Sequence, residues 1–276
     1  MHDADGPTGW LESGSMLEHA CLDGAVMPAA EARIPATDDG LLRGDGVFEV
    51  IRVYRGRPFA LDEHLERMVR SAANLRLPFD PEPMRADAGA VLEATGPVDC
   101  CLRLVATRGG RRLALTEPIT PMTESVRLAC VTYSPTRVLD GVKSLSYAGN
   151  MLASRLARER GFDEALLVTP HGRVLEAPTS TIFWASEGSL WTPPLDDHIL
   201  ASITRARLFE LTGARERPCT LDDLRAADEA FLASTVREVQ AVACVEDHAY
   251  SGPDPLTEEA SRLLRDRIAD ELAAPA

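Results

Sequence analysis

The sequence predicts a mixed α/β (α+β) protein in two domains: a small N-terminal domain over residues 17–134 and a larger one over residues 143–276, joined by a linker at 135–142. Three observations predict it. A chain of 276 residues is long enough for two units with their own cores. β-rich runs alternate with stretches of helical periodicity in both halves. Ser134-Pro135 opens a short connector between the halves.

The first 16 residues, acidic and Gly-rich, read as an N-terminal extension with no basic n-region or apolar h-region, so no signal peptide is expected there. From Leu17 a short strand runs to a turn at Asp23-Gly24, and a second extended piece reaches Pro35. The polar segment from Asp38 to Gly46 leads into Val47–Tyr54, an alternating strand closed by the turn Arg55-Gly56-Arg57-Pro58. Asp62 is a candidate N-cap for a helix to about Leu75, because Leu61, Leu65, Met68, Ala72 and Leu75 recur at helical spacing. His64, Arg67 and Ser71 lie on the flank of that apolar stripe. Further strands are expected at Cys101–Thr107 and Val126–Tyr133.

In the second half a helix from about Tyr147 to Arg160 is stopped by Gly161. Two hairpins follow, Ala165–Val168 with Arg173–Glu176, and Ile182–Ala185 with Leu190–Thr192. A helix near Thr204–Leu211, strands near Ala230–Ala233 and Val239–Val245, and a helix from Thr257 complete the chain.

Composition excludes several classes. Acidic residues outnumber basic ones 43 to 29, for a net charge of −14 with no basic block, which argues against a nucleic-acid surface. No apolar run approaches the roughly 20 residues of a membrane span. The six cysteines show no CxxC or metal-ligand spacing, so free thiols in a reducing cytoplasm are expected. Walker-type, GxSxG and HExxH motifs are absent.

Some residues remain that carry chemistry. Arginine supplies almost all the positive charge, and lysines are very few. Lys143 stands in Gly141-Val142-Lys143-Ser144-Leu145-Ser146-Tyr147, an apolar and small-residue setting before a helix. Desolvation there would lower its pKa and make it an amine nucleophile for a carbonyl, although taken alone it reads first as a solvated linker lysine. Glu176 stands between an apolar strand and the hydroxyl-rich Thr179-Ser180-Thr181. It reads as a strand-end charge or as a carboxylate facing a protonated ring nitrogen. Ser202-Ile203-Thr204 before a helix and Ser234-Thr235 after a strand are hydroxyl clusters suited to a phosphate, though each singly fits a cap or turn.

Five segments, in order, resemble the fold-type IV pyridoxal-phosphate enzymes: Gly44-Asp45-Gly46-Val47-Phe48-Glu49, Glu63-His64-Leu65-Glu66-Arg67-Met68, Lys143-Ser144-Leu145-Ser146-Tyr147, Gly172-Arg173-Val174-Leu175-Glu176 and Ile203-Thr204-Arg205. The resemblance covers the chain from about Leu17 onward and implies a small α/β domain, a larger pseudo-barrel domain, pyridoxal 5′-phosphate as cofactor and a cytoplasmic homodimer. It implies that Lys143 forms the Schiff base and moves the proton, and that Glu176 partners the pyridine nitrogen. Arg67, Ile203, Thr204, Ser234 and Thr235 would bind the phosphate, Tyr147 would stand near the phenolic oxygen, and Leu200 would pack on the ring. Two departures stand out: Tyr147 is offset by one from the family's tyrosine, and Ser202 replaces the usual glycine.

Within the family, Phe48-Glu49-Val50-Ile51 and Tyr54-Arg55-Gly56-Arg57-Pro58-Phe59 resemble D-amino-acid aminotransferases, so the implied reaction moves an amino group between a D-amino acid and a 2-keto acid. Aminodeoxychorismate lyase, branched-chain transaminase and R-amine transaminase are the alternatives, with a non-catalytic cofactor-binding protein more remote. The Arg-x-His carboxylate trap of D-amino-acid aminotransferases is missing. Arg108, Arg111 and Arg112 of the loop Thr107–Leu113 become the candidates for the substrate carboxylate, with Phe48 beside them and Arg103 next in line.

Overall fold

In the computed structural model residues 18–251 and 254–273 are described, and the expected extension at 1–16 lies outside them. β1 (His19–Leu22) and β2 (Ala25–Pro28) form a hairpin whose turn places Asp23 and Gly24 at positive φ. The polar segment from Asp38 to Gly46 contains one short helix, α1 (Asp39–Arg43), which the Asp38 carboxylate caps by accepting from the Gly40 N–H at 2.7 Å. The alternating run then forms β3 (Gly46–Tyr54), which turns into β4 (Arg57–Pro58).

The helix on this unit is α2 (Leu61–Asn74), and its start corrects the expected cap. Ala60 in the left-handed region precedes it, and Asp62 lies inside the first turn, where an acid is favoured by the helix dipole and here pairs with Arg85 at 2.6 Å. A second helix, α3 (Pro81–Thr95), was not expected, although its signal is readable: Asp80 caps it through the Glu82 N–H at 3.0 Å, and Pro81 occupies the first helical position. β5 (Cys100–Thr107) and the unanticipated β6 (Arg112–Glu117) complete a six-stranded antiparallel sheet in the order β2-β1-β6-β5-β3-β4.

Register divides the side chains of this sheet between two faces. Val47, Ile51, Val53, Leu102, Leu104 and Ala114 pack with Leu65, Met68, Ala72, Met84 and Val91 of α2 and α3 in one core. The alternate positions, Phe48, Val50, Arg52, Tyr54, Arg103 and Glu117, share the other face. From that face Arg52 Nη1 donates to the Val236 carbonyl at 3.1 Å, and the Tyr54 hydroxyl donates to Glu238 at 2.8 Å.

β7 (Ser125–Thr132) corrects the expected domain boundary. It pairs in parallel with two strands of the second sheet, so by sheet pairing the division falls between β6 and β7 and not at Ser134. A buried apolar run has the same appearance in either sheet, so only the pairing tells them apart. After β7 come the linker, α4 (Ala148–Glu159) and β8 (Glu164–Val168), a β-α-β crossover with Lys143 in its first connection. The rest follows as β9 (Arg173–Val174), β10 (Thr181–Ser186), β11 (Ser189–Thr192), α5 (Ile203–Thr212), β12 (Arg215–Glu216), β13 (Cys219–Thr220), α6 (Leu221–Arg225), β14 (Glu229–Ser234), β15 (Glu238–Val245), β16 (His248–Ala249) and α7 (Pro255–Ala273). The second sheet runs β12-β11-β10-β14-β15-β7-β8-β9-β13 with β16 on β15, and it curls into a half-barrel. One face of it buries Leu128, Leu166, Trp184 and Leu232, while Phe183 and Phe231, ring centroids 4.9 Å apart, pack under α7 with Leu264 and Ile268. The architecture is the two-domain α+β arrangement anticipated.

Candidate active site

Lys143 is the only lysine in the chain. Its segment lies along the start of β3: the Phe48 N–H donates to the Lys143 carbonyl at 3.1 Å and the Leu145 N–H to the Gly46 carbonyl at 2.9 Å. Gly46 permits this approach, because a Cβ there would come within 2.5 Å of the Ala106 carbonyl and 2.6 Å of a Leu145 methyl. From the other side the Lys143 N–H donates to Ser71 Oγ at 3.1 Å. The side chain lies between two rings, with Nζ 4.6 Å from the Phe48 centroid and 5.8 Å from that of Tyr147. Burial lowers its pKa from 10.5 to about 8, against the opposing pull of Glu49. This amine therefore gives up its proton near neutral pH far more readily than an exposed lysine, as a nucleophile or proton acceptor requires.

Phe48 and Tyr147 meet edge to face at 5.2 Å. The Tyr147 hydroxyl donates to the Pro178 carbonyl, which also accepts from Asn150 Nδ2 at 3.0 Å. Burial raises the Tyr147 pKa, so the phenol stays protonated. These two bonds hold the 177–180 turn, where Ala177 and Ser180 bridge each other.

Glu176 stands two residues beyond the end of β9, and its carboxylate accepts the Leu200 N–H at 3.2 and 3.3 Å from its two oxygens. Burial raises its pKa to about 7, while the Leu200 N–H and the charges of Lys143 and Arg67 act in the other direction. A cationic partner would ionise it fully. Leu200, expected as a packing residue, thus also orients this carboxylate through its backbone.

Arg67 is held by an acid that sequence reasoning left without a role. Its Nε donates to Glu49 Oε1 at 2.7 Å and its Nη2 to Oε2 at 2.6 Å, a bidentate pair in which Glu49 is 0% and Arg67 6% exposed. His64 Nδ1 donates to the same Oε2 at 2.7 Å. Burial opposes the Glu49 charge, but Arg67 and His64 outweigh it and hold the pKa at about 2. Burial keeps His64 below its ordinary pKa, and its Nε2 has no protein partner. The remaining Arg67 nitrogen, Nη1, donates to the Ala201 carbonyl at 3.1 Å, which sets the guanidinium beside the start of α5. Ser202 caps that helix by accepting from the Arg205 N–H at 3.2 Å, and Ile203 and Thr204, both buried, form its first turn. First-turn N–H groups have no partner within a helix and favour an anion. Ser234 and Thr235 close β14, and Ser234 Oγ accepts the Arg237 N–H at 3.2 Å in the turn that Arg52 and Tyr54 tether.

The expected carboxylate loop is not at this centre. Arg108 forms a fork on Asp45 at 3.0 and 3.2 Å and donates to the Leu75 and Arg76 carbonyls. Arg111 pairs with Asp23 at 2.8 Å, and Arg112 with Asp87 at 3.0 Å. These three guanidiniums bind the loop to its own domain. Arg103, unlike the loop arginines, lies near the lysine: its Cζ is 5.8 Å from the Phe48 ring, and its charge, after that of Arg67, helps depress the Lys143 pKa.

Sequence reasoning missed Glu49 and His64 as functional residues, though the signal was present. Glu49 is an acid on the buried face of an alternating strand, and His64 and Arg67 stand three apart on one helix flank. Among the described residues no cluster of metal-ligating side chains occurs. The donor set fits a pyridoxal-type cofactor: one desolvated amine, a buried carboxyl, and a cationic fork beside a helix N-terminus for a phosphate.

Comparison with known proteins agrees. The family model for amino-transferase class IV matches residues 46–245. A Methanocaldococcus jannaschii protein with a provisional branched-chain-amino-acid aminotransferase assignment is 35% identical over 243 residues, 79% of this chain and 84% of its own. The D-alanine aminotransferase of Bacillus licheniformis is 30% identical over 277 residues, covering 91% of this chain and 98% of its own. Among solved structures, a hypothetical aminotransferase from Mycobacterium tuberculosis with α-ketoglutarate and pyridoxamine phosphate bound superposes with a TM-score of 0.85 at 25% identity, over 92% of this chain and 99% of that one. The chain therefore belongs to the class IV aminotransferases, enzymes that work with pyridoxal 5′-phosphate.

Proposed function

We propose that this transaminase moves an amino group between a D-amino acid and a 2-keto acid, with Lys143 as its catalytic residue. The observation that carries the assignment is the single lysine, desolvated between Phe48 and Tyr147 and flanked by the charges of Glu49 and Glu176. The bound cofactor supplies a carbonyl for that amine and an electron sink for the substrate's α-carbon. Lys143 then takes and returns the α-proton at Nζ, which its lowered pKa suits. Glu176, its carboxylate aimed by the Leu200 N–H, would hold the proton on the pyridine nitrogen, and Leu200 would pack on the ring. Arg67, with Ile203 and Thr204 at the start of α5 and the Ser234-Thr235 turn, would hold the phosphate. Tyr147 would stand beside the phenolic oxygen.

Arg103 takes the substrate carboxylate across Phe48 in place of the loop arginines. The near full-length likeness to a D-alanine aminotransferase supports the D-amino donor, and the α-ketoglutarate bound by the Mycobacterium tuberculosis relative supports a 2-keto acceptor. The likeness to the Methanocaldococcus jannaschii protein favours a second reading, an L-branched-chain donor. The enzyme acts as a homodimer, and the cytoplasm is its compartment, in keeping with the six free cysteines. The test mixes holoenzyme with single D- and L-amino acids and follows the cofactor absorbance. D-alanine or D-glutamate should react about 10-fold or more faster than L-leucine or L-valine, a difference of roughly 1.4 kcal/mol in the barrier. The reverse order overturns the D-amino donor, and no reaction with any amino acid overturns transamination.

A further inference from the structure

Arg103 enters the site face from the middle of β5, opposite Val50 of β3 and Leu115 of β6. Two positions further along β6, Glu117 lies opposite Cys101 and so shares the face of Arg103 on the diagonal. Cross-strand diagonal neighbours are roughly 7–8 Å apart, within reach of long side chains. Here they meet: Arg103 Nε donates to Glu117 Oε1 at 2.8 Å, with the side chains 35% and 32% exposed. Among the described residues this is the only hydrogen bond of the Arg103 guanidinium. It uses the Nε side of the group. The Nη1–Nη2 edge, which can also bind a carboxylate with two parallel bonds, remains available.

We propose that Glu117 is a positioning residue for substrate selection: it holds Arg103 by Nε so that the Nη1–Nη2 edge stays presented to a substrate carboxylate over Phe48. The inference rests on the reading that Arg103 binds that carboxylate, and it adds the residue that keeps the guanidinium in place. An arginine free at this half-exposed position would have to order several torsions each time substrate bound. A fixed one has lost that freedom already. Glu117 also brings a negative charge near the incoming carboxylate, which acts against binding. The two effects separate in the Gln variant, whose amide oxygen still accepts from Nε but carries no charge.

The experiment compares Glu117→Gln, Glu117→Ala and Arg103→Ala holoenzymes. It reads KM and kcat for D-alanine and 2-oxoglutarate, and the affinity of glutarate as an unreactive dicarboxylate probe. Positioning predicts that Glu117→Ala raises both KM values and weakens glutarate about fivefold or more, close to the worth of one hydrogen bond, with kcat changing much less. Glu117→Gln should restore KM and glutarate affinity to within about twofold of the parent, since the hydrogen bond is kept. Equal losses in the Ala and Gln variants overturn the proposal, as does a Glu117→Ala enzyme with unchanged KM and glutarate affinity while Arg103→Ala is impaired. If Arg103→Ala itself leaves carboxylate binding unchanged, the carboxylate is held elsewhere and the underlying reading falls with the inference. Glu117 is half-exposed at a strand end, and matched thermal melts of the three variants show that the fold is retained.

Discussion

At the scale of single residues, Glu49 has the most demanding surroundings of any group near the site. It is fully buried, accepts two bonds from Arg67 and one from His64, and holds its proton only below about pH 2. A depressed carboxylate pKa contributes stability that is present above the unfolded value near 4.5 and is lost as pH falls from there towards 2. Glu49→Gln should narrow the gap between the thermal stabilities at pH 5 and pH 3, because its amide does not titrate. It should also weaken cofactor phosphate binding roughly 10-fold or more, because the Arg67 fork loses its charged anchor in a buried setting. Equilibrium titration of the apoenzyme with pyridoxal 5′-phosphate reads the second effect, and an unchanged affinity would show that Arg67 is oriented without Glu49. Lys143, Glu176 and Arg67 were legible in the sequence because motif spacing marks them. Glu49 and His64 were passed over although both stand in matching segments, because their role is to support another residue and the contact forms only when α2 packs on β3. The partners of the loop arginines were not legible, because Arg108, Arg111 and Arg112 are matched by Asp45, Asp23 and Asp87, acids distant in sequence.

At the scale of elements, the long strands and helices were readable from periodicity, as with β3 and α2, where period 2 and period 3.6 are each sustained over several turns of the pattern. α3 was passed over because its apolar positions are sparser, although its Asp80-Pro81 start is a clear signal. The two-residue strands β12 and β13 carry no periodicity and exist only through pairing with β11 and β9, far back in the chain. β7 shows what a one-dimensional reading lacks. Its sequence marks a buried strand, but its membership of the second sheet depends on parallel pairing with β8 and β15. That pairing puts Lys143 in a β-to-α connection, a place where open parallel arrangements present groups to ligands.

At the scale of the molecule, the first domain reaches the second through Arg67 on Ala201, Arg52 on Val236 and Tyr54 on Glu238, and also through Glu63, which pairs with Arg207 of α5. These contacts fix the phosphate-side turns relative to the sheet face that carries Phe48 and Arg103. Large apolar side chains are exposed on α1 (Leu41, Leu42), in the linker (Val138) and on α4 (Met151, Leu152, Leu156), elements that adjoin the segment of Lys143. A second copy of the chain covering them is the homodimer proposed above. Sedimentation of the holoenzyme should give twice the chain mass, and an active species at the monomer mass would contradict it.

The central claim is that all the covalent cofactor chemistry passes through one amine, and a single lysine makes this directly measurable. Holoenzyme is treated with borohydride, digested and analysed by mass spectrometry. The account predicts the cofactor's mass fixed on the peptide that carries Lys143, and neither fixation nor turnover in Lys143→Ala. Cofactor bound at full occupancy with Lys143 unmodified, or a Lys143→Ala enzyme that still turns over, would contradict it.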